Sequence, residues 1–146
     1  MKKFIYALIF CILSNNIYAQ DVIIIDTLEN TSKKQALVIL NGFGDSKKNR
    51  KIQKEFFKGR GYDLFIPEYI ERESIELSAS AFSYFYEKNN LDEYKELKFL
   101  CYIIGGFVLN QHIEKNGKGK ITTIIYDRSP TQERAPRVAT EKLPFI

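Results

Sequence analysis

Apolar residues in the central part of the chain fall into short continuous runs, separated by stretches with helical spacing. Four runs are bounded by polar or turn residues and have the length and composition of buried strands. They cover residues 36–40, 63–66, 97–104 and 121–126. A shorter β-branched run from Val22 to Ile25 predicts one more strand ahead of them.

Serine residues mark the beginning of the first two helices between these strands. Ser46 is placed to cap a helix that continues to about Lys58, where glycines follow. The apolar residues expected on its buried face are Ile52, Phe56 and Phe57. Ser74 begins a second helix, in which apolar side chains recur at three- and four-residue steps until Asn89.

Two further helices are expected later in the chain. Gly105-Gly106 is expected to interrupt the strand over residues 97–104, and residues 107–115 then have helical spacing. Ser129 and Pro130 then have the signature of a capped helix start, with the proline at the first helical position.

The alternation of strands and helices predicts an α/β fold with a mostly parallel sheet and helices on both faces. In open sheets of this kind, ligands bind beyond the carboxyl ends of the strands. The loops that should share this rim are residues 41–45, 67–73, 103–106 and 127–131. We expect any functional site of the protein to lie in these loops.

Residues 1–19 have the three parts of a secretory signal peptide. Two lysines precede an apolar run from Phe4 to Leu13, and a polar stretch then ends in Ala19. The apolar run has about ten residues, whereas a membrane-spanning helix needs about 20. We therefore expect cleavage after Ala19, a secreted or periplasmic protein without a stable membrane anchor, and a single mature domain over residues 20–146.

The net charge and the cysteine count bear on nucleic acid binding and on disulfide formation. The chain has 22 Lys and Arg against 18 Asp and Glu, and two of the lysines lie in the signal segment, which leaves about +2 for the rest. Nucleic acid binding is therefore not implied. Cleavage leaves one cysteine, Cys101, so no intramolecular disulfide is expected. The basic run at 47–51 is interpreted as a solvated helix face.

Two loops on the predicted rim resemble those of the alpha/beta-hydrolase family. Asn41-Gly42-Phe43-Gly44 follows one strand, and the segment from Cys101 to Gly106 lies between a strand and a helix. The resemblance covers residues 36–130 and implies an alpha/beta-hydrolase-like fold that is apparently incomplete, because the family's sheet typically has eight strands. In that family the first loop supplies one oxyanion-hole amide, and the second is the nucleophile elbow, G-x-S-x-G.

The elbow pattern departs from the family at its central position. It places Cys101 at the first glycine, Ile103 at the nucleophile and Gly105 at the second glycine, with Gly106 as an additional glycine. A hydrocarbon side chain cannot attack a carbonyl, so serine chemistry is excluded at position 103. Because a β-branched residue is unfavourable at positive φ, we expect Ile103 to adopt an ordinary strand-end conformation.

The same resemblance suggests binding groups and leaves few candidates for catalysis. Phe43 and Ile104 are the residues whose backbone amides would form an oxyanion hole, and Asn41 and Gly42 are candidate ligand contacts. The candidate catalytic residues are Cys101, whose thiol pKa should be raised by burial, and Asp127, which follows a strand. The one histidine, His112, falls within a helix and should point away from the rim. No metal or cofactor is implied.

Three hypotheses follow for the function. The chain is an exported hydrolase-like protein that has lost serine chemistry and binds a ligand or acts as a scaffold. Alternatively, it is the leading part of a longer esterase- or lipase-like hydrolase, with its acid and histidine beyond Ile146. The third hypothesis is a small doubly wound domain that binds an anion at residues 42–45. The ligand or acyl substrate is not specified by the sequence. If the chain ends at Ile146, the strand from Ile121 is an exposed edge unless the last helix or a partner covers it, and we then expect self-association through this edge.

Overall fold

The computed structural model of the chain describes residues 21–25 and 35–128. The signal peptide expected over residues 1–19 and the helix expected to begin at Ser129 lie outside the described residues. Within the described part, no helix has both the length and the apolar character needed to cross a bilayer.

Five strands form one sheet in the order β1-β3-β2-β4-β5. Neighbouring strands run parallel, except that β1 pairs antiparallel with β3. The strands are β1 Val22–Ile24, β2 Gln35–Leu40, β3 Asp63–Ile66, β4 Glu96–Tyr102 and β5 Ile121–Asp127. The prediction of a mostly parallel α/β sheet is confirmed, and each strand coincides with an apolar run in the sequence.

Three α-helices connect the parallel strands: α1 Lys47–Phe57, α2 Ile75–Lys88 and α3 Gly105–Asn116. Both predicted serine caps are confirmed. The Oγ of Ser46 accepts a hydrogen bond from the backbone N–H of Asn49 (3.2 Å), and the Oγ of Ser74 accepts one from Leu77 (3.1 Å). Each cap satisfies a backbone donor that the first helical turn cannot use internally.

Helices cover both faces of the sheet, as predicted. On one face, Phe82 of α2 and Leu109 of α3 belong to the larger buried cluster, which also includes Phe99 of β4. On the other face, Phe57 of α1 packs against a smaller cluster that includes Leu37 of β2. The parallel strands β2 and β3 are therefore shielded from water on both sides.

The buried face of α1 differs from the prediction. Ile52 and Phe56 are 58% and 56% exposed, so the expectation that they face the core was wrong. The buried side of α1 instead carries Arg50, together with the half-buried Phe57 two turns further on. An arginine can occupy this face because two carboxylates, those of Asp45 and Glu68, balance its charge.

Candidate functional site

The loops after β2, β4 and β5 meet at the carboxyl edge of the sheet. A Cβ placed on Gly42 would lie 2.9 Å from the Cβ of Ile103 and 3.0 Å from the carbonyl oxygen of Tyr102, so position 42 has room only for glycine. The backbone N–H of Ile103 donates a hydrogen bond to the carbonyl of Asp127 (3.1 Å). The prediction that these loops share one rim is confirmed for the described residues.

The loop after β3 joins this rim through a buried tyrosine. The hydroxyl of Tyr69 donates a short hydrogen bond to the backbone carbonyl of Asn41. Burial raises the pKa of Tyr69, and nearby Cys101 and Asp45 add to the effect, so the hydroxyl remains a donor at physiological pH. Tyr69 therefore fixes the start of the loop that carries Gly42.

The turn between β4 and α3 keeps a left-handed backbone conformation at Ile103, with φ +50°. The expectation that Ile103 relaxes to an ordinary strand-end conformation was wrong. A β-branched residue at positive φ costs about 1–3 kcal/mol, which the surrounding packing must offset. The turn is constrained because β4 ends at Tyr102 and α3 begins only three residues later at Gly105.

The close packing of α3 against β2 explains why this turn stays tight. A Cβ on Gly105 would lie 2.4 Å from the carbonyl oxygen of Leu40 and 2.8 Å from its Cβ. Gly105 and Gly106 are the first two residues of α3, so the helix begins two residues before the predicted start at Phe107. The absent side chain at 105 lets the helix begin directly beside the end of the central strand.

Two backbone amides next to the Gly42–Ile103 contact are available to a ligand. Neither the N–H of Phe43 nor that of Ile104 has a hydrogen-bond acceptor among the described residues. Ile104 precedes α3, and no side chain caps this helix. Uncapped N–H groups at a helix N-terminus, together with the helix dipole, favour a ligand oxygen.

A cavity of about 310 Å³ opens beside Phe43 and Ile103, between α1 and the turn that joins β4 to α3. Phe43, Ile52, Tyr102 and Ile103 supply its apolar walls. Ile52 is exposed because it faces this open space rather than the core. The size lies at the lower end of the range for small-molecule sites, about 300–1,000 Å³.

A network of side-chain amides forms the polar wall of the cavity. Asn41 and Gln53 exchange two hydrogen bonds, from Gln53 Nε2 to Asn41 Oδ1 (2.7 Å) and from Asn41 Nδ2 to Gln53 Oε1 (3.0 Å). Asn41 Nδ2 also donates to Asp45 Oδ1 (3.1 Å). The side chain of Asn41, a predicted ligand contact, thus holds the loop against α1.

A second, smaller cavity of about 180 Å³ lies on the other side of the Gly42–Asp45 loop. Arg50 and Arg72 are among its lining residues. Arg50 is only 5% exposed. Its Nε lies 2.7 Å from Asp45 Oδ2, at an angle that forms an ion pair but no hydrogen bond, and its Nη2 lies 3.3 Å from Glu68 Oε1.

Arg50 is the site residue that the sequence interpretation missed. Within the basic run 47–51 it looked like part of a solvated face, and its four neighbours in that run are indeed exposed. The signal that could have identified it is its spacing of seven residues from Phe57, two turns along the same helix face.

The two candidate catalytic residues lie in different environments. Cys101 is fully buried on the α2–α3 side of the sheet, and burial raises the pKa of its thiol to about 12. The side chain of Asp127 lies at the rim, with its Oδ1 3.6 Å from Arg128 Nε. Among residues 21–25 and 35–128, no cluster of three or more His, Cys, Asp and Glu side chains could hold a metal ion.

His112 is buried between α2 and α3, and its contacts lie away from the elbow. Its ring packs against Phe82 and Tyr86, and its Nδ1 lies 3.0 Å from Ser83 Oγ and 3.1 Å from Asn116 Nδ2. Because the Nδ2 group of Asn116 can only donate, Nδ1 of His112 accepts and the ring is neutral. Burial lowers the pKa of His112, which fits this neutral state.

Comparison with known proteins gives a fold but no sequence family. No protein-family model matches the chain, and no curated protein matches it. Solved structures do match, at sequence identities of 12–17%, and these likenesses concern the fold alone. Two of them are named as hydrolases.

The three matching structures cover different parts of the chain. An alpha/beta hydrolase enzyme from the metagenome of sediments from the lagoon of Mar Chica, Morocco, matches 84% of this chain with a TM-score of 0.55 and 17% identity. Bromoperoxidase from Bacillus anthracis matches 65% with a TM-score of 0.53 and 14% identity. A predicted CIB-like hydrolase from Thermoplasma acidophilum matches 73% with a TM-score of 0.51 and 12% identity.

The chain has an alpha/beta-hydrolase-like fold, as the resemblance in its two rim loops implied. The matched region covers 55%, 37% and 61% of these three chains, in the order given, so this chain spans less than two thirds of the length of each. The described sheet is accordingly an incomplete version of the hydrolase sheet.

Proposed function

We propose that this chain is an exported alpha/beta-hydrolase-like protein that binds a small uncharged ligand at the elbow and does not catalyse serine-dependent acyl transfer. The observation that carries the proposal is Ile103, which occupies the elbow position at φ +50° and presses against Gly42. The positive φ at Ile103, together with a side chain that has no nucleophilic atom, supports a site that binds without serine chemistry.

The chemistry of the larger cavity supports an uncharged ligand. Three of its apolar side chains, Phe43, Ile52 and Ile103, are substantially exposed although large. The one ionisable carboxylate in its wall belongs to Asp45, which is paired with Arg50. An anion would find no unpaired cation there, whereas an apolar body with one polar oxygen could use the amides of Phe43 and Ile104.

The remaining reactive groups support binding rather than turnover. With a thiol pKa of about 12, Cys101 is almost entirely protonated at neutral pH and is a poor nucleophile. His112 accepts hydrogen bonds inside the α2–α3 interface and offers no base to the rim. Asp127 is left without a partner base on the described part of the rim.

The partial coverage of related structures favours a second candidate. The chain spans 37–61% of the matched hydrolase-fold chains, so it could be the leading part of a longer exported hydrolase. In that case further strands, an acid and a histidine would follow Ile146. The intact mass of the native exported protein separates the two: the value for residues 20–146 supports the ligand-binding proposal, and a much heavier species supports the longer enzyme.

The anion-binding alternative has less support. Its best location is the 180 Å³ cavity, which Arg50 and Arg72 line. The charge of Arg50 is already offset by Asp45 and Glu68, so little net positive potential remains for an anion.

A binding titration with a neutral probe tests the ligand-binding proposal. We expect a short-chain alkyl amide to shift backbone amide signals of residues 42–44 and 103–106, and the matching alkyl carboxylate to shift them much less. Ile52→Lys, which places a charge in the cavity wall, should abolish the shifts. Phe56→Lys is the matched control, because Phe56 is equally exposed on the same helix but does not line the cavity. Binding of the carboxylate alone, or loss in both variants, would contradict the proposal.

A further inference from the structure

Three side-chain amides line the 310 Å³ cavity, and they differ in how many of their hydrogen-bonding atoms are already used. They belong to Asn41, Gln53 and Asn49. Asn41 and Gln53 exchange two hydrogen bonds with each other, and Asn41 Nδ2 donates its second hydrogen to Asp45 Oδ1. The Asn41 amide therefore has no donor left for a ligand, and Gln53 Nε2 has one N–H left.

The orientation of the Asn41 and Gln53 amides is fixed by a neighbouring carboxylate. Asp45 can only accept hydrogen bonds, so the Nδ2 group of Asn41 must face it. Asn41 Oδ1 then accepts from Gln53 Nε2, which fixes Gln53 in turn. Asp45 is itself held by Arg50, whose Nε lies 2.7 Å from its Oδ2. Asn41 and Gln53 therefore form a rigid part of the cavity wall.

The side-chain amide of Asn49 has no hydrogen-bond partner among residues 21–25 and 35–128, although its backbone N–H donates to Ser46 Oγ. Asn49 lies three and four residues before Ile52 and Gln53, so these three residues share the face of α1 that borders the cavity. A free donor and a free acceptor are thus placed next to the exposed apolar side chain of Ile52.

The chemical group that matches a free side-chain amide is another amide. Asn49 Nδ2 can donate to a carbonyl oxygen while Asn49 Oδ1 accepts from an N–H of the same group. The Asn41–Gln53 pair makes this two-bond contact in the same wall. The contact requires an N–H on the same side as the carbonyl oxygen, as in a primary carboxamide. An ester or a ketone supplies the carbonyl oxygen but no N–H.

We propose that the cavity selects ligands with a primary carboxamide on a short apolar body, and that Asn49 determines this specificity. The carboxamide pairs with the Asn49 amide, and the apolar body lies against the exposed side chains of Phe43, Ile52 and Ile103. A ligand without the N–H would cover Asn49 Oδ1 and leave it unpaired, which weakens binding. The inference rests on the proposed function, since it concerns the same cavity and adds the group that is recognised.

An NMR titration of the full chain with two nearly isosteric probes tests the inference. The probes are hexanamide and methyl pentyl ketone, in which a methyl group replaces the NH₂ of the amide. Both are uncharged and carry the same pentyl chain. We expect hexanamide to bind about tenfold more tightly, as one additional hydrogen-bonded contact would give.

Two leucine variants locate the source of the preference. Asn49→Leu keeps the size of the side chain but removes the amide, so the two probes should bind with about equal affinity. Lys48→Leu is the matched control, because Lys48 is exposed on the same turn of α1 but does not line the cavity; it should keep the preference. Both side chains are exposed, and circular dichroism checks that both variants fold.

The outcomes separate this inference from the proposed function. Equal affinities for both probes in the unchanged protein would overturn the carboxamide specificity, while an uncharged ligand at the cavity would still be supported. Binding of neither probe would overturn both proposals. A preference for hexanamide that persists in Asn49→Leu, or that is lost equally in Lys48→Leu, would show that Asn49 does not determine the specificity.

Discussion

Ile103 and Gly42 are in such close contact that a single methyl group on Gly42 would lie 2.9 Å from the Ile103 Cβ. The contact joins the loop after β2 to the turn between β4 and α3, the two segments that carry the resemblance to hydrolases. The Ile103 side chain at this contact is purely hydrocarbon, so it offers no nucleophilic atom. The left-handed conformation at Ile103 is therefore kept by packing and turn geometry, with no nucleophile to position.

The strain at Ile103 predicts an unusual response to substitution. Ile103→Asn should leave the free energy of unfolding unchanged or raise it, because asparagine tolerates positive φ and relief of about 1–3 kcal/mol of strain offsets the lost burial. Ile23→Asn is the matched control: Ile23 is 43% exposed, against 41% for Ile103, but lies in extended β1. The control should lower stability in chemical denaturation. Equal losses for both variants would show that Ile103 carries no strain.

The contact itself can be measured by a double-mutant cycle. Gly42→Ala should destabilise the fold by about 1–3 kcal/mol, the usual cost of overpacking, because Ile103 Cβ and Tyr102 O lie within 3.0 Å of the added methyl. In an Ile103→Gly background the cost should be smaller, since one of the two clashing atoms is gone. Additive effects of the two substitutions would contradict the contact.

The positions of the strands and helices were largely predictable, because the helix caps and the apolar runs in the sequence agree with the tertiary packing. Ser46 and Ser74 cap the helices that their sequence positions indicate, and each of the five apolar runs assigned to strands contains one. The buried face of α1 was not predictable from hydrophobicity. Ile52 faces a cavity at the rim, so its exposure depends on where the sheet ends rather than on helical periodicity.

Substitution of Arg50 tests whether its ion pairs hold the site together. Arg50→Met should cost about 3–5 kcal/mol, because Asp45 would remain as a largely buried carboxylate without its partner. Lys51→Met on the exposed side of the same helix is the control and should change stability by less than about 0.5 kcal/mol. Similar values for the two variants in urea denaturation would mean that the Arg50 charge is solvated.

The buried imidazole predicts a pH dependence of stability. The folded-state pKa of His112 is lowered by burial, an effect that Glu87 opposes and Lys115 reinforces. Below the unfolded pKa of about 6.5, the unfolded chain binds a proton that the folded chain resists. Stability should therefore fall as the pH decreases from 7 toward 5, and this slope should be smaller in His112→Gln.

NMR titration of the imidazole gives the pKa of His112 directly. Because His112 is the one histidine in the sequence, its signal in an untagged chain needs no further assignment. A midpoint above 6.5 in the folded protein would contradict the neutral, hydrogen-bonded state described between Ser83 and Asn116.

The site was harder to predict than the fold, since its key features depend on contacts between distant segments. The sequence identified the two loops, but an argument from backbone preference gave the wrong conformation for Ile103. The preference of isoleucine for negative φ is overridden at this position. Because Gly105 has no side chain, α3 packs directly against Leu40, and only a tight turn can then join β4 to α3. Arg50 was missed because its carboxylate partners, Asp45 and Glu68, come from two different loops.

The most direct test of the account is the initial rate of hydrolysis of short acyl esters by the purified chain, compared with buffer and with Cys101→Ala. The account predicts no turnover above the uncatalysed rate in either protein, because Ile103 cannot act as a nucleophile and the thiol of Cys101 has a pKa of about 12. Turnover that disappears in a folded Cys101→Ala variant would contradict it and would make Cys101 the nucleophile of an unconventional hydrolase.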